Sequence, residues 1–125
     1  MIFGTGVDIA RIDRFGTIYD RFQLKFLKKI LSQYELHHFE RARDPARYLA
    51  MRFATKEATS KALGTGFKKG IYPSLIWVEH EPSGKPNLRV TGRARELFEK
   101  FEIKNSHVSL SDDGGFAIAS VILEN

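Results

Sequence analysis

The chain contains no cysteine, which excludes disulfides, thiolate metal sites and a cysteine nucleophile. No apolar run approaches the ~18 residues of a transmembrane helix, so no membrane insertion is expected. The first residues lack the charged-then-apolar build of a secretory leader, and a soluble, cytoplasmic protein is the expectation. Acid is in the minority: 15 Asp and Glu against 20 Lys and Arg leave a net charge of +5. That excess suits nucleic acid, an anionic cofactor or an acidic protein, and does not choose among them. Repeats and low-complexity tracts are also missing. What is present is 42% hydrophobic residues, ten of them Phe, enough for the modest core of a single domain spanning residues 1–125.

The stretch LAMRFATKEATSKALGTGF, residues 49–67, organises the rest. On a helix at about 100° per residue, Leu49, Ala50, Phe53, Ala54, Ala58 and Ala62 form one broad apolar side, with Arg52, Thr55, Lys56 and Thr59 opposite. The row of alanines suits close packing. Glu57 and Lys61 project from the middle of the apolar side. An i, i+4 Glu–Lys pair on a solvated face is commonplace, but a carboxylate facing an interior needs a partner or a metal. Gly64-Thr65-Gly66 then ends the helix and is expected to leave backbone N–H groups bare. A carboxylate, an ammonium and a glycine-rich turn along one side suit a metal-bound phosphate.

Residues 2–12 read as a strand carrying Gly4, Gly6, Asp8 and Ala10 on one face. Its two glycines allow a helix, another backbone or a ligand to come close to Asp8. Gly4-Thr5-Gly6 lacks the third glycine and following helix of a dinucleotide fingerprint. Residues 14–31 have helical spacing, with a cap expected from Asp13 or Asp20, a break near Gly16, and a one-signed face of Arg14, Arg21, Lys25, Lys28 and Lys29. Ser32 and Glu35 form a capping box for a second helix reaching about Arg43. His37 and His38 read as surface residues. Pro45 opens the central helix. Strands at 74–81 and 87–90 flank the Pro82–Pro86 turn, a short helix covers 94–101, and 107–111 and 116–123 close as a hairpin. This order predicts an α+β fold, with one largely antiparallel sheet, a long central helix and flanking helices packed over it.

Four segments, GTGVDI, RFATKEATSKALGTG, SGKPNL and HVSLSDDGGFAIASVIL, taken together resemble the holo-acyl-carrier-protein synthases, the small bacterial 4′-phosphopantetheinyl transferases. The resemblance implies Mg²⁺-dependent transfer of 4′-phosphopantetheine from coenzyme A to a serine of apo acyl carrier protein. Adenosine 3′,5′-bisphosphate is released, and the reaction supports fatty acid biosynthesis. It implies that Asp8 and Glu57 bind Mg²⁺, and that Glu57 and Lys61 carry the catalysis. Lys61 and Gly64 would lie at the cofactor phosphates, Arg52 near the 3′-phosphate, Pro86 near the adenine, and His107 within the same motif set. Arg14, Arg21 and Lys25 fall on the surface that docks the acidic carrier. A homotrimer with sites between subunits is also implied. Many relatives have His where this chain has Asp112, and no role is assigned there. The rival readings are a nucleic-acid-binding module and another Mg²⁺-dependent enzyme acting on nucleotides or pyrophosphates. The basic helix carries its aromatic residues on the apolar side, away from its charges, so no nucleic-acid partner is expected.

Overall fold

The N-terminal strand and the central helix lie together with almost nothing between them. The computed structural model describes Met1–Asn125 in full. Its elements are β1 (Ile2–Arg11), α1 (Ile12–Ile30), α2 (Gln33–Phe39), α3 (Pro45–Leu63), β2 (Ile76–His80), β3 (Pro86–Val90), α4 (Gly92–Lys100), β4 (Asn105–Asp113) and β5 (Phe116–Glu124). A Cβ built on Gly4 would sit 2.0 Å from the carbonyl oxygen of Ala62, and one on Gly6 1.9 Å from that of Ala58. No side chain fits at either position, so the sequence Gly-x-Gly on β1 and the alanine row on α3 are two halves of one contact. Asp8 is the next inward residue along β1.

All strand pairs are antiparallel, as expected, but they form two sheets instead of one: β1-β5-β4, and a separate β2-β3 hairpin. β3 runs beside β4 without ladder hydrogen bonds. α3 covers the inner face of the larger sheet, where Ala117, Ala119, Val121 and Leu123 of β5 are completely buried. The outer face is uncovered: Val7 and Ile9 are each 60% exposed, and Phe116 and Ile118 40%.

The helices correct several expectations. α1 begins after Arg11 without a side-chain cap, so neither Asp13 nor Asp20 caps it. Its break falls at Gln23 (φ 47°), whereas Gly16 stays helical. α2 opens on the predicted box, with Ser32 Oγ accepting from the Glu35 N–H and Glu35 Oε1 accepting from the Ser32 N–H, but it stops at Phe39. α3 starts at Pro45, capped by Asp44 Oδ1 accepting from the Arg47 N–H.

The main correction concerns the polar side of α3. Thr55, Lys56, Thr59 and Ser60 are as buried as its alanines. The hydroxyls satisfy themselves by donating to carbonyls a turn earlier: Thr55 to Met51, Thr59 to Thr55, Ser60 to Glu57. Lys56 has no such recourse. Its Nζ donates to Glu35 Oε1 at 2.6 Å, to the Pro73 carbonyl at 2.9 Å and to the Ile76 carbonyl. This one ammonium ties α3 to the capped start of α2 and to the entry of β2. Burial pulls Lys56 below the ordinary lysine pKa, and the Glu35 carboxylate opposes that shift.

A buried pair is costly to break because the survivor is stranded without solvent. Lys56→Met should therefore lose about 3–5 kcal/mol in urea unfolding. The double variant Lys56→Met/Glu35→Gln, which keeps the helix cap, should recover much of that loss. Equal loss in both would show that the stranded charge is not the cause.

Candidate active site

Asp8 and Glu57 meet across the β1–α3 contact. They line one cleft of about 240 Å³, together with Ile9, Arg11, Arg14 and Phe53. The two elements bring them together because Gly6 lies against Ala58, the neighbour of Glu57. Lys61 does not pair with Glu57 one turn away. Its Nζ crosses to β1 and donates to Asp8 Oδ1 at 3.0 Å and to the Val7 carbonyl at 3.1 Å. Asp8 is well shielded, its side chain 17% exposed, while Lys61 is half exposed. Glu57 has no cationic hydrogen-bond partner. Burial first, and then the like charge of Asp8, push its pKa above the ordinary carboxylate value, against an opposing pull from Lys61.

Two carboxylates and no third acid, His or Cys form the donor set. Such a set is too sparse for a zinc or calcium cage. It fits a small hard cation that keeps water and substrate phosphate as its remaining ligands, and the repulsion between Asp8 and Glu57 is what a cation would relieve. Asp8 and Glu57 are the residues that could hold Mg²⁺.

Arg52 and Pro86 fall in a second cleft, of about 360 Å³, lined also by Arg47, Tyr48, His80 and Gly84. Arg52 lies over the Tyr48 ring, 4.6 Å from its centroid, and its Nε is buried without a hydrogen-bond acceptor. Tyr48 donates its hydroxyl to the Glu35 carbonyl at 3.2 Å, and burial raises its pKa, with Arg52 opposing. Asp112 takes both Nε and Nη2 of Arg47, at 3.0 and 2.8 Å. Hydrogen bonding to Arg47 holds the Asp112 carboxyl below its usual pKa.

The remaining expected site residues lie elsewhere. Gly64 caps α3 at φ 82°, its N–H donating to the Lys61 carbonyl, while Thr65 and Gly66 donate to Ser60. The N–H groups of this turn are therefore engaged in ending the helix, contrary to expectation. His107 sits on β4 with Nε2 2.5 Å from Glu124 Oε1, and lines neither cleft. Arg14, Arg21 and Lys25 are exposed along α1. Lys25 flanks an apolar groove formed by Ile18, Phe22 and Phe26. Sequence reasoning missed Tyr48, Arg47 and His80. Tyr48 stands four residues before Arg52, one turn away on the same helix, and His80 stands two residues before the Pro-Ser-Gly-Lys-Pro turn segment; those spacings are the signals that were there.

A family model described as the 4′-phosphopantetheinyl transferase superfamily matches residues 4–121. The chain belongs to that superfamily. It is 44% identical over 124 residues to the holo-[acyl-carrier-protein] synthase of Vibrio cholerae, covering 99% of this chain and 98% of the relative. A Yersinia enterocolitica protein of the same name is 40% identical over 124 residues, again covering 99% of this chain and 98% of that one. The crystal structure of the Neisseria meningitidis synthase superposes with a TM-score of 0.92 at 36% identity over the whole of both chains. The Helicobacter pylori synthase, solved in complex with coenzyme A, gives a TM-score of 0.84 at 34% identity over 96% of this chain and 99% of that one. The single α+β domain is thus the fold of these transferases.

Because Asp8 contributes to the raised pKa of Glu57, Asp8→Asn should lower the Glu57 titration midpoint, leaving the rise due to burial against the pull of Lys61. Carboxyl-resolved NMR titration reads this directly. An unchanged midpoint in Asp8→Asn would mean that the two carboxylates do not sense one another.

Proposed function

We propose that the protein transfers 4′-phosphopantetheine from coenzyme A to a serine of apo acyl carrier protein, releasing adenosine 3′,5′-bisphosphate, and so supplies active carrier for fatty acid biosynthesis. The observation that carries this reading is the pair Asp8 and Glu57, held together with Lys61 at the β1–α3 contact. It is supported by the match to holo-[acyl-carrier-protein] synthases along the full chain. Bound between the two carboxylates, Mg²⁺ would supply charge neutralisation for the pyrophosphate. Lys61 offsets charge on the same phosphates as the serine oxygen–phosphorus bond forms and the pyrophosphate linkage breaks. A carboxylate oxygen of Glu57 accepts the serine proton. Arg52 and Pro86 receive the nucleotide end.

Arg14 lines the carboxylate cleft and also begins the basic face of α1. That continuity suits an acidic carrier whose serine must reach Asp8 and Glu57. The groove of Ile18, Phe22 and Phe26, bordered by Lys25 and Lys29, offers apolar contact inside a cationic rim.

A homotrimer with shared sites is part of the same reading. Positions 52 and 57 project about 140° apart on α3, and their side chains open into different clefts. One coenzyme A reaching both groups is simplest if Arg52 comes from a neighbouring copy. The bare outer face of the three-stranded sheet, with Val7, Ile9, Phe116 and Ile118, is the apolar surface available for such association. Head-to-tail contacts that close into a ring place one site at each interface.

Incubation with coenzyme A, Mg²⁺ and apo carrier should add one phosphopantetheine to the carrier by intact mass. Asp8→Asn and Glu57→Gln should abolish the gain while leaving circular dichroism unchanged; full activity in either removes the assignment. Arg14→Glu should raise KM for the carrier far more than KM for coenzyme A. Glu57→Ala and Arg52→Ala chains, each nearly inactive, should regain activity when unfolded and refolded together. A mixture that stays inactive, or a monomer by light scattering, rules out the shared site.

A further inference from the structure

The nucleotide cleft has three basic side chains, and one of them is already spent. Arg47 gives both Nε and Nη2 to Asp112, so its charge is matched. Arg52 keeps its Nε buried and unpaired above the Tyr48 ring. The third basic group is His80, at the solvent-accessible end of β2. No carboxylate lines the cleft to match either of these last two. β4 contributes Val108, Ser109 and Leu110, and the β2–β3 hairpin Gly84 and Pro86, all uncharged. A phosphate monoester is mostly a dianion at neutral pH, its second pKa being about 6. Arg52 can balance one of the two charges.

We propose that His80 takes up a proton as the 3′-phosphate of coenzyme A enters beside Arg52, completing the countercharge to the dianion. This rests on the transferase reading above, which puts the nucleotide end of coenzyme A in this cleft. In the free protein the imidazole is held below its ordinary pKa by partial burial, and then by Arg52 of α3 and His38 of α2. It is therefore mostly neutral at pH 7. A dianion among these groups reverses their effect and lifts the imidazole pKa. Between the free and bound values, each binding event draws a proton from solvent, and affinity falls as pH rises through that window. Above the bound value His80 stays neutral and the added affinity is gone.

Calorimetric titration with coenzyme A, at fixed Mg²⁺ and pH 7, in buffers of different ionisation enthalpy counts that proton. The wild-type protein should take up a substantial fraction of a proton with coenzyme A and none with 3′-dephospho-coenzyme A. His80→Asn should take up none. It should also bind coenzyme A about tenfold or more weakly, the scale of one charge-assisted hydrogen bond, while binding 3′-dephospho-coenzyme A as the wild type does. Binding without proton uptake, or equal uptake in His80→Asn, overturns the role of His80 and leaves the transfer reaction standing. Equal uptake with 3′-dephospho-coenzyme A overturns it as well, because the proton would not answer to that phosphate. Failure of coenzyme A to bind at all would contradict the transferase reading itself.

Discussion

Backbone against backbone, at Gly4 and Gly6 on β1 and Ala58 and Ala62 on α3, is the contact from which the site follows. The carbonyl oxygens of the helix occupy the space where β-carbons of the strand would stand. Packing interiors close-fill space and yield little, so the separation of strand and helix is fixed by what is missing from the two glycines. Asp8 comes next along the strand and Glu57 precedes Ala58 on the helix. Two carboxylates that electrostatics would keep apart are thereby held in one cleft, and burial there, with the like charge of Asp8 second, raises the pKa of Glu57. Lys61, a turn further on, neutralises Asp8 and leaves Glu57 the less stabilised of the two.

A second constraint holds the other side of the same helix. Lys56 anchors α2 and the entry of β2 through one ammonium. The walls of the second cleft, α3 with Tyr48 and Arg52 and the β2–β3 hairpin with His80 and Pro86, are joined through that anchor. Consecutive residues thus divide the work: Lys56 faces inward and fixes architecture, while Glu57 faces the carboxylate cleft.

Much of this was legible in the sequence. The glycines around Asp8 announced a close approach, the Ser32–Glu35 box and Pro45 placed two helix starts, and period-two patterning found every strand. The α+β class followed from that order. The helical wheel failed on α3, because it assigns polar residues to solvent. The hydroxyls of Thr55, Thr59 and Ser60 bond back to their own helix and tolerate burial, and Lys56 was rescued by Glu35, 21 positions away in the chain. No local pattern carries a pair of that span. Gly16 was expected to break α1 on propensity alone, yet it stays helical and the chain kinks at Gln23. The N–H groups after Gly64 looked available because a glycine C-terminus was visible, whereas their use in capping depends on the path the chain takes afterwards. That His80 and Tyr48 line one cleft follows only from the packing of the hairpin beside α3.

The most direct measurement of whether this one contact builds the site is the transfer rate of Gly6→Ala, with Asp8, Glu57 and Lys61 untouched. Its added methyl, 1.9 Å from the Ala58 carbonyl oxygen, must push β1 away from α3. A displacement near 1 Å can cost on the order of a hundredfold in rate, and overpacking of this kind about 1–3 kcal/mol in stability. Rate by intact mass of the carrier and melting temperature should fall together. A Gly6→Ala protein with the wild-type rate and the wild-type melting temperature would show that the close approach of strand and helix does not set the site.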